Sequence, residues 1–215
     1  MRKTSVRVAL VIFGLVALSS CGSDSGSGQD DQFSQFTGDK FKIESNCKVT
    51  AERRSKVDSH TYTVTNTVVS VDHITENADG SSEIYTSEVS GYDDSGKVLY
   101  GPDQSSGRTD YRKINESDSE TTNQDTTVEH YRDGTTQTVN TRTVSVWRRT
   151  SSTSSELISL TINGVDAGYK VYKTFSKIDA NSMQIEKTYT PAGHWSTAEY
   201  EVLSRRHSCV QKFIL

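Results

Sequence analysis

The side chains used most often for acid–base and metal chemistry occur in this sequence, but not at the spacings that such chemistry needs. None of the five histidines has another histidine within five residues, so no local metal-ligand spacing exists: His60, His73, His130, His194 and His207. Asp72 and Glu129 each precede a histidine, but neighbouring side chains of a strand point to opposite faces. Asp93-Asp94-Ser95 lacks the spacing of an EF-hand and predicts a turn. The sequence therefore predicts no cofactor, no metal site and no enzymatic activity, although carboxylates on separate strands could still converge.

Aromatic side chains are the remaining candidates for a binding site. The predicted ligand-contacting residues are spread over several strands: Tyr62, Trp147, Trp195 and Tyr200. If a concave face collects them, it suits a lipid, a glycan or a peptide. The favoured alternative is that these rings form the core, because only five leucines follow position 20. The run Arg205-Arg206-His207 could meet phosphate or carboxylate groups, although charge at a strand end is usually solvated.

The N-terminus indicates export. A basic start is followed by an apolar run at positions 8–18, which is too short to span a bilayer but fits a signal peptide. The run ends in Leu18-Ser19-Ser20-Cys21, which resembles the lipobox of bacterial lipoproteins. The resemblance implies cleavage before Cys21 and acylation of that residue with palmitate-type chains. Gly22 favours the outer membrane of a Gram-negative cell, facing the periplasm or the cell surface. The alternative is an ordinary signal peptide beside an unrelated cysteine.

These features divide the chain into a signal peptide (1–20), a lipidated cysteine with a Gly/Ser/Asp tether (21–41) and a single β domain (42–215). The apolar-free stretch at 22–32 is a flexible linker with a reach of roughly 17–20 Å. Phe33, Phe36 and Phe41 either pack the tether onto the domain, which is favoured, or offer a surface to a partner.

The domain is predicted to be all-β. Serine, threonine, valine and tyrosine dominate it, and no segment has a convincing helical stripe. The strands are expected at roughly 45–56, 60–74, 82–92, 97–100, 108–115, 126–132, 135–149, 156–162, 168–178, 182–190, 195–204 and 207–213. They predict an antiparallel meander that forms an up-and-down barrel or a strongly curved sheet. The stretch 101–125 is alternatively a long mobile loop.

Two local details of the strands are also predicted. The alternation that begins at Thr61 slips by one residue at Val68-Val69, which indicates a β-bulge or a bend. Asp79-Gly80, Asp133-Gly134 and Asn163-Gly164 are typical of tight hairpins. A two-residue loop at Asp133-Gly134 pairs His130 with Gln137.

With Cys21 acylated, two cysteines remain, and export favours a disulfide between Cys47 and Cys209. That bond places the first strand beside the last, as a closed barrel or a clasped sheet requires. Metal ligation or thiol catalysis by two cysteines so far apart is the disfavoured alternative.

The charge limits the partners. The whole chain carries a net charge of −4, and without the three basic residues of positions 1–20 the mature chain carries −7. This excludes a basic nucleic-acid binder and leaves membrane attachment to the acyl chains on Cys21. The predicted function is a membrane-anchored envelope lipoprotein with a non-enzymatic interaction or structural domain. The alternative is a carrier or receptor for a lipid or other hydrophobic ligand, and the possible partners are an envelope protein, a glycan or a lipid.

Overall fold

The computed structural model describes residues 40–77, 81–131, 134–190 and 195–214. The expected signal peptide, Cys21 and nearly all of the expected tether lie outside the described residues, as do Asp79-Gly80 and His194. Among the described residues, no helix is long and apolar enough to cross a bilayer.

Antiparallel strands make up most of the described chain: β1 Lys40–Ser55, β2 Thr61–Glu76, β3 Ser82–Asp93, β4 Val98–Lys113, β5 Asp118–His130, β6 Thr136–Ser151, β7 Ser154–Ile162, β8 Val165–Asp166, β9 Lys170–Asp179, β10 Ser182–Thr190 and β11 Tyr200–Ile214. Each described strand pairs with the next one along the chain, except at β8. The short β8 pairs only with β7, and β9 pairs with β7 in its place. Because β1 pairs with β11, ten strands form a closed ring. The predicted all-β meander is confirmed, and it is a barrel.

The seam between the first and last strands carries the disulfide. Cys47 and Cys209 are direct partners in the β1–β11 register, with their Cα atoms 4.0 Å apart, and their sulfur atoms are bonded. The predicted pairing is confirmed, and it joins residues separated by 162 positions.

Three of the observed strands differ from their prediction: β5 was predicted too short, and β4 and β11 were each predicted as two separate strands. β4 runs without a break through the stretch 101–107, which was expected to be a loop between two strands, and β5 begins at Asp118 rather than near 126. β11 is one strand where two, 195–204 and 207–213, were expected. Each of these segments has hydrogen-bonding neighbours on both sides, within the meander for β4 and β5 and through closure onto β1 for β11, which outweighs the low strand propensity of their polar residues. The alternative interpretation of 101–125 as a long mobile loop is therefore also wrong.

The predicted bulge at Val68-Val69 is absent. The β1–β2 pairing is continuous from Lys40 opposite Thr75 to Arg54 opposite Thr61. Ser70 and Asp72 are buried and therefore face inward. Val69 and Val71, which alternate with them, face outward, so the alternation continues without a slip. The apparent slip arises because polar residues occupy inward positions.

The Asn163-Gly164 turn lies on described residues, whereas at Asp133-Gly134 Asp133 lies outside them and only the register of the flanking strands tests the prediction. Asn163 and Gly164 have φ angles of 51° and 80° between the paired Ile162 and Val165, which confirms the tight turn. The register at Asp133-Gly134 is wrong by one residue, because His130 pairs with Thr136. There the amide of Tyr131 donates to the carbonyl of Thr135, so three residues separate these partners rather than two.

The inner surface of the barrel has walls of different polarity. One apolar cluster fills the interior between β1, β2, β3, β10 and β11: Phe41, Ile43, Ile74, Ile84, Met183, Ile185, Cys209 and Phe213. A second cluster joins β6 and β7 to β9 and β10: Trp147, Leu157, Leu160, Ala167, Val171 and Tyr189. Every inward position of β5 is polar and buried, and we call these residues the polar wall: Ser119, Thr121, Asn123, Asp125, Thr127 and Glu129.

Candidate functional site

An aromatic cluster closes one end of the barrel interior. Its rings come from the end of β10 and from the segments that precede β9 and β11: Tyr169, Tyr189 and Trp195. The ring centroid of Tyr189 lies 5.7 Å from that of Tyr169 and 5.0 Å from that of Trp195. Tyr169 and Trp195 are 4.9 Å apart. These are distances at which aromatic pairs attract each other beyond the gain from simple burial.

Basic side chains occupy the inward positions next to this cluster, and we call them the cationic patch: Lys173, Lys187, Arg205 and His207. Lys187 on β10 pairs with Lys173 on β9 and with His207 on β11. Arg205 lies opposite Tyr189 on the neighbouring strand. The exposed fraction is only 5% for Lys173, 8% for Lys187 and 5% for His207, so all three are inside the barrel. Lysines are rarely buried to this extent.

The patch and the aromatic rings contact each other directly. The ammonium nitrogen of Lys173 lies 4.3 Å from the ring centroid of Trp147, and the guanidinium carbon of Arg205 lies 4.6 Å from that of Trp195. Both distances fall within the range of cation–π attraction. The result is one continuous surface with positive charge and aromatic faces.

Burial and mutual repulsion disfavour the charged forms of the titratable groups on this surface. Burial lowers the pKa of Lys187 to about 8. Burial, with the charges of Arg205 and Lys187, lowers the pKa of His207 to about 2, so its imidazole is neutral. The Nε–H of Arg205 donates to Nε2 of His207 at 2.9 Å, which fixes that nitrogen as an acceptor. Burial also raises the pKa of the Tyr189 hydroxyl.

A small cavity lies between the patch and the apolar side chains. It is lined by Trp147, Leu157, Leu160, Tyr169, Val171, Lys173, Lys187 and Tyr189, and its volume is about 10 Å³, room for one water molecule. A ligand larger than water would have to displace side chains here.

The acidic groups of the interior lie elsewhere. Burial raises the pKa of Asp72 on β2 to about 6, although hydrogen bonds from Ser87 and Ser70 act in the opposite direction. Burial raises the pKa of Asp125, on the polar wall, to about 6 as well. In the strand order β3 and β4 separate these two acids.

Several buried polar atoms of this region have no protein hydrogen-bond partner among the described residues: Oδ2 of Asp72, Oγ1 of Thr121, Oδ1 of Asn123 and Oγ1 of Thr127. Such atoms usually hydrogen-bond to internal water.

The structure brings three of the four predicted ligand-contacting residues to the same end of the interior. Trp147 belongs to the second apolar cluster, Trp195 packs against it, and Tyr200 packs with Trp195 beside Ala51 and Val202. Tyr62 instead stacks on His60, with ring centroids 6.5 Å apart. Of the four predicted residues, only Trp147 lines the cavity.

Sequence reasoning missed the two buried lysines of the cationic patch, Lys173 and Lys187. It considered Arg205 and His207 as possible contacts for phosphate or carboxylate groups but favoured a solvated strand end. Both point inward, whereas Arg206 is exposed and pairs with Glu186. The signal was present in β10, where Lys187 alternates in phase with the buried Ile185 and Tyr189.

In each of the two adjacent acid–histidine pairs, the acid and the histidine lie on opposite faces of the strand. Asp72 is buried whereas His73 lies on the other face, and Glu129 is buried whereas His130 is exposed, so these neighbours do not act together. The oxygen Oδ1 of Asp93 accepts from the amides of Ser95 and Lys97, which confirms a turn. Among the described residues, no group of three His, Cys, Asp or Glu side chains is placed to hold a metal ion.

No protein-family model matches this sequence, and no curated protein sequence matches it. A solved structure titled "Structure of EF1p2_mFAP2b bound to DFHBI" is similar over 78% of this chain and 90% of that chain. The sequence identity is 10% and the TM-score is 0.29, a likeness too distant to bear on function.

Proposed function

We propose that this protein is a lipid-anchored component of a bacterial envelope whose barrel binds a small amphipathic molecule, as a carrier or receptor. The observation that carries the binding proposal is the burial of Lys173 and Lys187, together with the half-buried Arg205, beside aromatic rings. Removing such charges from water is costly, and a barrel that needed only a stable core would place apolar residues there. Strongly desolvated charged groups cluster at functional sites. The proposal involves no catalysis and no cofactor.

The anchor is supported by the lipobox-like motif and by the composition of the tether. An acylated Cys21 followed by a flexible stretch would hold the barrel close to the headgroups and leave it free to reorient. The placement in the outer membrane rests on Gly22.

The second candidate is a non-enzymatic interaction or structural module. The small volume of the cavity favours it, because carrier sites usually enclose several hundred Å³. In that case the aromatic cluster has only a packing role.

Native mass spectrometry of the purified mature protein, followed by solvent extraction, separates the two candidates. A carrier is expected to release a stoichiometric small molecule. Protein with no mass beyond that of the acylated chain, together with tryptophan fluorescence that no amphipathic probe changes, would favour the interaction module.

Replacing Cys21 tests the anchor. We expect Cys21→Ser to move the protein from the membrane fraction to the soluble fraction, because the thiol that carries the diacylglyceryl group is lost. Ser20→Ala, next to it, is the matched control and should stay in the membrane fraction. Retention of Cys21→Ser in membranes, with its mass unchanged by acylation, would refute lipid anchoring.

A further inference from the structure

We propose that the ligand is an organic anion, with a carboxylate, phosphate or sulfonate group that lies between Lys187 and Arg205 and an apolar body that packs on Tyr189 and Trp195. This inference rests on the proposed ligand-binding function and adds the charge of the ligand and the residues that select it.

The inner wall formed by β7, β9, β10 and β11 carries basic side chains. Across the inward positions of β7, β9, β10 and β11, the described side chains include four in the cationic patch and Lys177, and none is acidic. The buried acids Asp125 and Glu129 belong to β5, which is five strands from β11 in the ring of ten and so lies on the opposite wall. Asp72 on β2 pairs with Ile43 of β1, six positions along β1 from the partner of His207. A group that approaches the patch therefore meets positive potential at short range, in surroundings that screen it poorly.

The guanidinium of Arg205 has more hydrogen-bond donors than the described residues use. Its guanidinium makes one hydrogen bond to a described residue, from Nε to His207, and a guanidinium has five N–H donors. The remaining donors form the planar fork that binds carboxylate and phosphate oxygens. The neutral His207 orients this fork without neutralising its charge.

Aromatic rings border the guanidinium of Arg205. Tyr189 is buried next to Arg205, and Trp195 is half-buried over the guanidinium. Leu157 and Val171 continue the same surface. A bare inorganic anion would use none of this apolar area, so the site fits an anion that carries an apolar or aromatic body. Because the cavity holds one water molecule, such a body must displace the half-buried rings of Tyr169 and Trp195.

The protein contains its own reporter for this site. The chain has two tryptophans, Trp147 and Trp195, and both lie in it. A matched pair of dyes, anilinonaphthalene sulfonate and the uncharged N-phenylnaphthylamine, has the same fused and phenyl rings and differs in the sulfonate. The full-length mature protein, in a fixed concentration of non-ionic detergent, would be titrated with each dye while energy transfer from tryptophan is recorded.

We expect the anionic dye to bind at least about tenfold more tightly than the neutral one, the effect of one or two charge-assisted hydrogen bonds. Inorganic phosphate should not displace it at equal concentration. Equal affinity for both dyes would overturn the anion inference and leave the proposed function standing. Absence of transfer from either dye would overturn both. Displacement by inorganic phosphate would overturn the assignment to an organic anion.

Two variants assign the preference to named residues. Lys187→Met and Arg205→Gln should each reduce the affinity for the anionic dye about tenfold and change that for the neutral dye less than about twofold. The glutamine keeps a donor near His207, so it tests the charge even if Lys187→Met does not fold. Lys170→Met, an exposed lysine of β9, is the control with the same loss of charge. If both site variants keep the anion preference, the inference is wrong.

Discussion

At the scale of single residues, burial acts in opposite directions on the acids and bases inside this barrel. It lowers the pKa of Lys187 to about 8 and raises the pKa of Asp72 to about 6, since in both cases the charged form is the one that loses hydration. The strand register keeps the two kinds of group apart, so they do not neutralise each other. The interior therefore carries charge-related strain that other buried contacts must offset.

Asp72 gives a test of this strain by pH. Its folded pKa of about 6 is above the unfolded value near 3.8, so the folded state keeps the proton longer and stability falls as the pH rises between these values. At pH 7 we expect Asp72→Asn to be more stable than the parent by up to about 3 kcal/mol, because Oδ1 can still accept from Ser87. The difference should vanish near pH 4. Urea denaturation across this pH range measures it.

Asp94→Asn, in an exposed turn, is the control and should leave the pH profile unchanged. A variant at Asp72 that follows the parent's profile at every pH would show that this carboxylate is not desolvated.

Lys187 gives the corresponding test for a base. We expect Lys187→Met to raise the free energy of unfolding at pH 7 by about 1 to 3 kcal/mol, since methionine fills a similar space without a buried charge. The folded pKa is about 8 and the unfolded value 10.5, so the parent loses its penalty as the pH rises through this interval, and the gain of the variant should shrink there. Thermal unfolding at pH 7 and pH 10 checks both statements.

The Lys170→Met variant, which removes an exposed charge, should change stability by less than about 0.5 kcal/mol. A destabilised Lys187→Met protein would indicate that the lysine is held by interactions that outweigh its desolvation.

At the scale of elements, strands β4 and β5 show how a polar sequence becomes a strand. Their residues have low strand propensity, but each strand has a hydrogen-bonded neighbour on both sides. The two strands pack closely at Gly107, where a Cβ atom would clash with the carbonyl oxygen of Gln124 and the carboxylate of Asp125. The glycine thus makes room for an inward acid of the polar wall.

Gly107→Ala tests this packing. We expect a loss of about 2 to 3 kcal/mol in the free energy of unfolding, because the clash involves backbone and a buried side chain that cannot easily move. Gly164→Ala is the matched control: its φ is 80° but nothing lies within 4 Å, so only backbone strain of about 1 kcal/mol is expected. Guanidinium denaturation of both variants measures the difference. Equal losses would refute the close approach.

At the scale of the whole molecule, closure depends on the pairing of β1 with β11. The disulfide spans this seam and removes entropy from the unfolded chain, about 5 kcal/mol for a separation of 162 residues in the chain-entropy description. A barrel whose polar wall contributes little apolar burial depends more than usual on such a cross-link.

We expect the double variant Cys47→Ala/Cys209→Ala to lose about 3 to 5 kcal/mol of stability. Reductant should lower the denaturation midpoint of the parent by a similar amount and leave that of the double variant unchanged. A parent protein whose midpoint does not respond to reductant, with two thiols that react with alkylating agents after unfolding, would refute the bond.

The sequence by itself determined the all-β class, the turns at Asp93 and Asn163, and the pairing of Cys47 with Cys209. It also predicted that Trp147 and Trp195 belong to a binding or core region. The physical reason is that turn dihedrals and strand propensity are properties of neighbouring residues.

Only the tertiary structure decided which residues face inward. Closure placed Asp72, Lys187 and His207 inside and Val69 outside, against the expectation that apolar residues mark the core. Pairing with the strands on both sides made continuous strands of segments that looked like loops. In a closed barrel the inward direction is fixed by register around the whole ring, so a polar residue is buried when its neighbours in the ring place it there, whatever its own hydropathy.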